Sequence, residues 1–152
     1  MSNEISVNGE CHCGNISISA IVDKNKVRVC HCTDCQKMSG APFRAIAIAS
    51  AKSITINGTP KEYIKIGDSG NKRIQAFCEN CGTQLFATDL ERKLFNLRVG
   101  FLEQKDILEP KEHVFTNSSL QWIKMLLKLG LKKLYIYRQN IKKGLTKYTT
   151  HL

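Results

Sequence analysis

The sequence predicts a mainly β domain with little helix, and three observations carry that prediction. Short apolar runs alternate with polar residues, as in Ile16-Ser17-Ile18-Ser19-Ala20-Ile21 and Ser53-Ile54-Thr55-Ile56, the period of strands with one buried face. Gly, Asn, Asp and Pro punctuate those runs, marking turns between them. All seven cysteines fall in three tight groups: Cys11 and Cys13; Cys30, Cys32 and Cys35; Cys78 and Cys81. Thiols this close suit a metal better than a disulfide framework, and zinc takes four ligands with thiolate among its preferred donors. Seven thiols divide into one closed four-thiolate site and one three-thiolate site with an open position. A closed site is normally structural, whereas an open one can take water or substrate.

At 152 residues the chain is long enough for one domain with a real core. Met1 to Glu10 is polar, unlike a secretory leader, and no apolar run approaches the roughly 18 residues of a membrane span. A soluble, cytoplasmic protein is expected, in a reducing compartment that keeps thiols free for metal. An odd cysteine count also fits disulfides poorly.

The net charge of +10 is unevenly spread. Eight of the 23 basic residues lie from Lys124 onward with no acidic residue among them, leaving 15 basic against 13 acidic before, a net of +2. Residues 1–123 are therefore expected to form the domain, and 124–152 a basic tail whose helix and strand preferences conflict. A nucleic-acid contact, if any, belongs to that tail.

In chain order, Cys11-His12-Cys13-Gly14 reads as a knuckle turned by its glycine. Strands follow over Ile16–Ile21 and Val27–Val29, separated by a polar turn at Asp23–Lys26. Thr33–Ser39 suits a short helix with Thr33 or Asp34 as N-cap. That places Cys35 near a helix N-terminus, where the dipole favours thiolate. Phe43–Ala49 is a continuous apolar run, hence a strand buried on both faces. Asn57-Gly58 predicts a hairpin between Ser53–Ile56 and Glu62–Ile66. Further strands are expected at Lys72–Phe77, Gln84–Thr88, Leu94–Val99 and His113–Phe115, with loop over Gly100–Pro110 and a helix from Ser118 or Ser119 through Met125. Spacing alone leaves the thiol pairing open: Cys11, Cys13, Cys30 and Cys32 could form one site, with Cys35, Cys78 and Cys81 the other.

The motifs resemble a known family. Gly9-Glu10-Cys11-His12-Cys13-Gly14, Cys30-His31-Cys32-Thr33-Asp34-Cys35-Gln36-Lys37 with Ser39-Gly40-Ala41-Pro42-Phe43, and Phe77-Cys78-Glu79-Asn80-Cys81-Gly82 are similar to those of the glutathione-dependent formaldehyde-activating enzyme (GFA) and centromere protein V domain family. Gly100-Phe101-Leu102-Glu103, His113-Val114-Phe115 and Trp122 extend the likeness over about Gly9 to Trp122. The lysine-rich stretch after Trp122 is atypical for it.

The resemblance implies an Mss4-like fold of several short, twisted antiparallel sheets with zinc knuckles. It implies two zinc ions per chain: a structural one on Cys11, Cys13, Cys78 and Cys81, and a second on Cys30, Cys32 and Cys35, whose open position does the chemistry. The implied activity is that of a carbon–sulfur lyase making or breaking a thiol–aldehyde adduct such as S-hydroxymethylglutathione, with a small thiol, glutathione, as partner. The alternative is a non-catalytic zinc module that binds nucleic acid or chromatin or serves as an interaction scaffold. Plainer roles are expected for the neighbours: Asp34 a helix cap, Lys37 and Arg44 solvated cations before carboxylate partners, and His12 and His31 surface or supporting residues rather than ligands. His113 is expected to pack and Trp122 to lie in the core.

Overall fold

Apolar alternation builds the fold strand by strand. A computed structural model describes residues 3–67 and 70–123. Its first compact unit is Met1–Ser118; of the second, Ser119–Leu152, residues 119–123 are described and contain one helical turn from Gln121. The basic tail from Lys124, and the nucleic-acid contact it would offer, lie outside the described residues. No described helix is long and apolar enough to cross a membrane.

Ten strands form one mainly antiparallel sheet: β1 (Glu4–Glu10), β2 (Ser17–Asp23), β3 (Arg28–Cys30), β4 (Arg44–Ser50), β5 (Thr55–Asn57), β6 (Lys61–Ile66), β7 (Lys72–Phe77), β8 (Gln84–Thr88), β9 (Leu94–Arg98) and β10 (Glu112–Val114). The main path runs β1-β2-β4-β9-β8-β7-β6. Strand β3 also pairs with β4, β10 lies parallel to β3, and β5 pairs with β2. Among the described residues the one full α-helix, α1, spans Thr33–Ser39.

Two strands depart from the sequence expectation. Strand β1 lies in the stretch read as merely polar, with Ile5, Val7 and Gly9 supplying its alternation and all seven residues in register with β2. Gly9 is required there, because a Cβ would stand 2.5 Å from the Phe101 carbonyl oxygen. The β5–β6 hairpin does not form. Ile56 of β5 instead faces Ile18 of β2, and β6 pairs with β7 over its whole length. Gly58 still turns the chain (φ 86°), but against Asn15, whose carbonyl a Cβ would strike at 2.4 Å. A turn signal fixes local direction, and burial of Ile56 fixes the partner.

Strand β4 is buried on both faces, and that organises the molecule. Ala45, Ala47 and Ala49 point into the main core with Val7, Ile18, Phe86, Phe95 and Leu97. Each large side chain buried there contributes about 1.5–3 kcal/mol. Ile46 and Ile48 point the other way, into a smaller cluster with Cys30, Cys32, Cys35 and Val114. Strand β9 alternates in the same sense: Phe95, Leu97 and Val99 enter the main core, which puts Asn96 and Arg98 on the opposite face. Trp122, expected in the core, is 48% exposed.

Candidate metal centres and active-site cavity

The first and third cysteine groups meet. In the first knuckle Gly14 (φ 77°) donates its N–H to the Cys11 carbonyl at 2.8 Å; in the second Gly82 (φ 73°) donates to the Cys78 carbonyl at 2.8 Å. The His12 N–H donates to Thr83 Oγ1 at 3.0 Å, tying knuckle to knuckle. The Sγ atoms of Cys11, Cys13, Cys78 and Cys81 all lie within 4.8 Å of one another, with Cys11–Cys13 at 3.5 Å and Cys13–Cys78 at 3.6 Å. Tetrahedral zinc with Zn–S near 2.3 Å needs sulfurs about 3.8 Å apart, so this donor set fits zinc. Local dipoles prepare the thiols: the Thr83 hydroxyl draws Cys81 down to about 5, and hydrogen bonding from Asn80 lowers Cys13. Cys11 and Cys78 are rooted in the main core.

The central group stands apart, on the other face of β4. Cys30 ends β3, Cys32 caps α1, and Cys35 lies in the helix's first turn. Their Sγ atoms also lie within 4.8 Å of one another, and among the described residues the group comprises these three cysteines. The N-cap is thus Cys32, whose sulfur accepts from the Cys35 N–H at 3.3 Å, and not Thr33 or Asp34. Cys30 is the thiol drawn down, to about 6, by its hydrogen bond with Cys35 and with help from the Arg98 charge; Cys35 is pushed up by the same bond and by burial. Three soft donors, with no fourth among the described residues, fit a zinc with one open position.

These thiols line a cavity of about 330 Å³ on the second face of the sheet. Its apolar wall is Ile46, Ala87, Val114 and Phe115; Arg28, Lys65, Arg73 and Arg98 give it a cationic lining. Glu112 pairs with Arg28 at 2.7 Å, and Asp34 pairs with Lys65, so Asp34 bridges α1 to β6 instead of capping the helix. Phe115 sits at φ 56° and is 66% exposed, a backbone conformation uncommon for a bulky residue.

Arg44 corrects the expectation of a solvated cation: it is buried, directly across the β3–β4 ladder from Cys30. Lys37 is exposed as expected. His12 is exposed, and His31 is buried with Nε2 2.9 Å from His113 Nδ1, its ring also against Phe43. Neither histidine joins a thiol group. His113 is exposed yet stacked on His31, ring centroids 5.2 Å apart. The sequence pattern did not single out Arg98, although a signal was present: an arginine inside the apolar run Leu94–Val99. It is buried, donates to Gln75 Oε1 at 2.8 Å, and has its pKa lowered to about 9 by burial and by neighbouring Arg44.

The sequence profile described as glutathione-dependent formaldehyde-activating enzyme matches residues 6–118. The chain belongs to the glutathione-dependent formaldehyde-activating enzyme family. The GFA match takes in all three cysteine groups. A curated relative, an uncharacterized lyase of Schizosaccharomyces pombe, is 35% identical over 78 residues, 51% of this chain and 54% of the relative. The match thus spans about half that relative's length. A crystal structure of a Rhodobacter sphaeroides protein aligns with TM-score 0.54 at 19% identity, covering 70% of this chain and 99% of that one. That likeness shows the fold: the mainly β, Mss4-like arrangement implied by the GFA motifs.

Proposed function

We propose that this chain is a zinc-dependent carbon–sulfur lyase that makes or breaks a thiol–aldehyde adduct, with S-hydroxymethylglutathione the first candidate. The observation that carries this reading is a group of three thiols, with no fourth donor among the described residues, opening into a cation-lined cavity. Membership of the GFA family and the lyase-named relative support it. Cys11, Cys13, Cys78 and Cys81 would hold a structural zinc, and Cys30, Cys32 and Cys35 a second. Held by Cys30, Cys32 and Cys35, the second ion would supply an open position at which a substrate thiol's pKa is lowered.

The protein supplies the rest. Arg73, and Arg28 beside its Glu112 partner, offer charge to the carboxylates of a thiol such as glutathione. Ile46, Val114 and Phe115 keep the reacting sulfur and carbon in apolar surroundings. There the thiolate sulfur adds to the aldehyde carbon, the new carbon–sulfur bond takes the sulfur's electron pair, and the carbonyl oxygen becomes a hydroxyl by taking one proton. The reverse step breaks the same bond and returns the proton. A cytoplasmic setting suits this chemistry, because reducing conditions keep thiols available.

NMR exchange spectroscopy of glutathione and formaldehyde with the zinc-loaded protein tests the proposal. Acceleration of exchange into S-hydroxymethylglutathione, abolished in folded Cys35→Ser, is expected. No acceleration by the wild type would remove this adduct as the substrate.

A further inference from the structure

Beside the three-thiol group two buried arginines lack a carboxylate partner among the described residues. Arg44 and Arg98 are 5% and 6% exposed, and both belong to the face of the sheet that carries Cys30. Arg44 stands opposite Cys30 in the β3–β4 ladder; Arg98 stands opposite Ile46, two residues along β4 from Arg44. Arg98 Nε and both Nε and Nη2 of Arg44 are buried without a hydrogen-bond partner among the described residues. The two carboxylates that reach this face are engaged elsewhere, Glu112 with Arg28 and Asp34 with Lys65. Among the described residues no carboxylate pairs with Arg44 or Arg98, and the one side-chain partner of Arg98 is the neutral Gln75. Two adjacent buried guanidiniums are costly unless anionic charge offsets them.

Resting on the proposed three-thiolate zinc, we infer that Arg44 and Arg98 are charge-selecting residues that make its open position prefer an anionic thiolate over a neutral ligand. Three thiolates on a divalent ion leave one net negative charge, and a fourth thiolate makes two. Two buried guanidiniums match the second state: with a neutral fourth ligand the assembly keeps an excess positive charge in a poorly solvated place, and with a thiolate it is neutral. The pair therefore holds the substrate's sulfur in its reactive, ionised form. Arg73 and the paired Arg28 and Lys65 lie further along the same cavity, suited to more distant groups of the substrate.

The test uses cobalt(II)-loaded protein, read by its sulfur-to-metal charge-transfer and d–d absorption, so it needs no turnover. The probes are 2-mercaptoethanol, a thiol without carboxylates, and imidazole, a neutral ligand. Arg98→Met and Arg44→Met should each weaken thiol binding by about tenfold or more, as expected for removing one nearby charge from a partly screened interior. Imidazole binding should hold or improve, and Arg98→Lys should recover much of the thiol affinity. Should a methionine variant fail to fold, Arg98→Gln serves in its place. Equal losses for both ligands, or a fully loaded variant that binds the thiol like wild type, would overturn the inference. Failure of the wild type to take the thiol at all would overturn the open-site reading as well. Absence of adduct exchange with normal thiol binding would sink only the lyase substrate.

Discussion

The two thiol groups sit on opposite faces of one strand and are surrounded in opposite ways. The four-thiol group joins residues 65 apart in sequence, and its cysteines Cys11 and Cys78 belong to the main hydrophobic core. The three-thiol group gathers six consecutive positions, Cys30 to Cys35, beside a cavity with four cationic residues in its lining. One closes a long loop and ties the molecule together. The other is locally built and packs in a separate, smaller cluster outside the main core. On the proposed function the same donor chemistry would serve two ends, with the neighbours deciding which.

The largest effect should follow from breaking the long-range group. Structural zinc sites are worth about 10–16 kcal/mol in small zinc-finger peptides, comparable with the roughly 5–15 kcal/mol that stabilises a whole domain. Cys78→Ser is therefore expected to abolish cooperative thermal unfolding and to give aggregated protein, with strong chelators producing the same result in the wild type. A folded, cooperative Cys78→Ser variant would contradict the assignment of that site as the clamp.

Cys35→Ser should separate the two roles. Zinc content, read by native mass spectrometry, is expected to fall from two ions to one. The Tm should drop by only about 2–4 °C per kcal/mol lost in a domain of this size, while adduct exchange disappears. If Cys35→Ser instead unfolds like Cys78→Ser, both groups are structural and the open-site proposal fails.

How much of this was legible in the sequence divides along the same line. The cysteine groups, the strands from β2 to β4 and from β6 to β10, and α1 all announce themselves through spacing and period. The site's local half was therefore readable. What could not be read was which charged residues converge on it, because Arg28, Arg44, Arg73 and Arg98 come from four different strands and meet only through register. The Arg44 expectation failed for that reason: Phe43–Ala49 reads as a strand buried on both faces, but only the register that sets Arg44 opposite Cys30 shows that its charge is buried too. The β5–β6 hairpin failed similarly, since Asn57-Gly58 specifies a turn but not the competing partner β2. Strand β1 was missed although Ile5, Val7 and Gly9 alternate, because the surrounding polar residues masked the period.

A smaller effect probes the support beneath the three-thiol group. His31, lodged between Cys30 and Cys32, meets His113 at 2.9 Å, and its N–H bonds the Val114 carbonyl at 3.0 Å. His113→Ala removes one side-chain hydrogen bond, worth about 1 kcal/mol. Stability should fall by that amount with both zinc ions retained. Loss of the second zinc in this variant would make His113 part of the metal site.

The smallest effect concerns backbone strain. Around the four-thiol group the left-handed positions are glycines, Gly14 and Gly82, which bear that conformation freely. Beside the three-thiol group Gly40 ends α1 in the left-handed region, but a bulky residue does so too: Phe115, at φ 56°. A non-glycine residue there costs roughly 1–2 kcal/mol in conformation, and strain of this kind tends to gather where a side chain must be held at a working surface. At an ordinary loop position alanine is more stabilising than glycine by about 0.4–1 kcal/mol, because it restricts the unfolded chain. At position 115 the order should invert: Phe115→Gly should be more stable than Phe115→Ala by up to about 1 kcal/mol, the strain relieved less the entropy lost. Denaturant melts of the two variants read the sign directly. Both should bind the substrate thiol adduct more weakly than wild type, since both remove the ring from the cavity wall. If alanine is the more stable, the position carries no strain, and the aromatic ring is held there by packing alone.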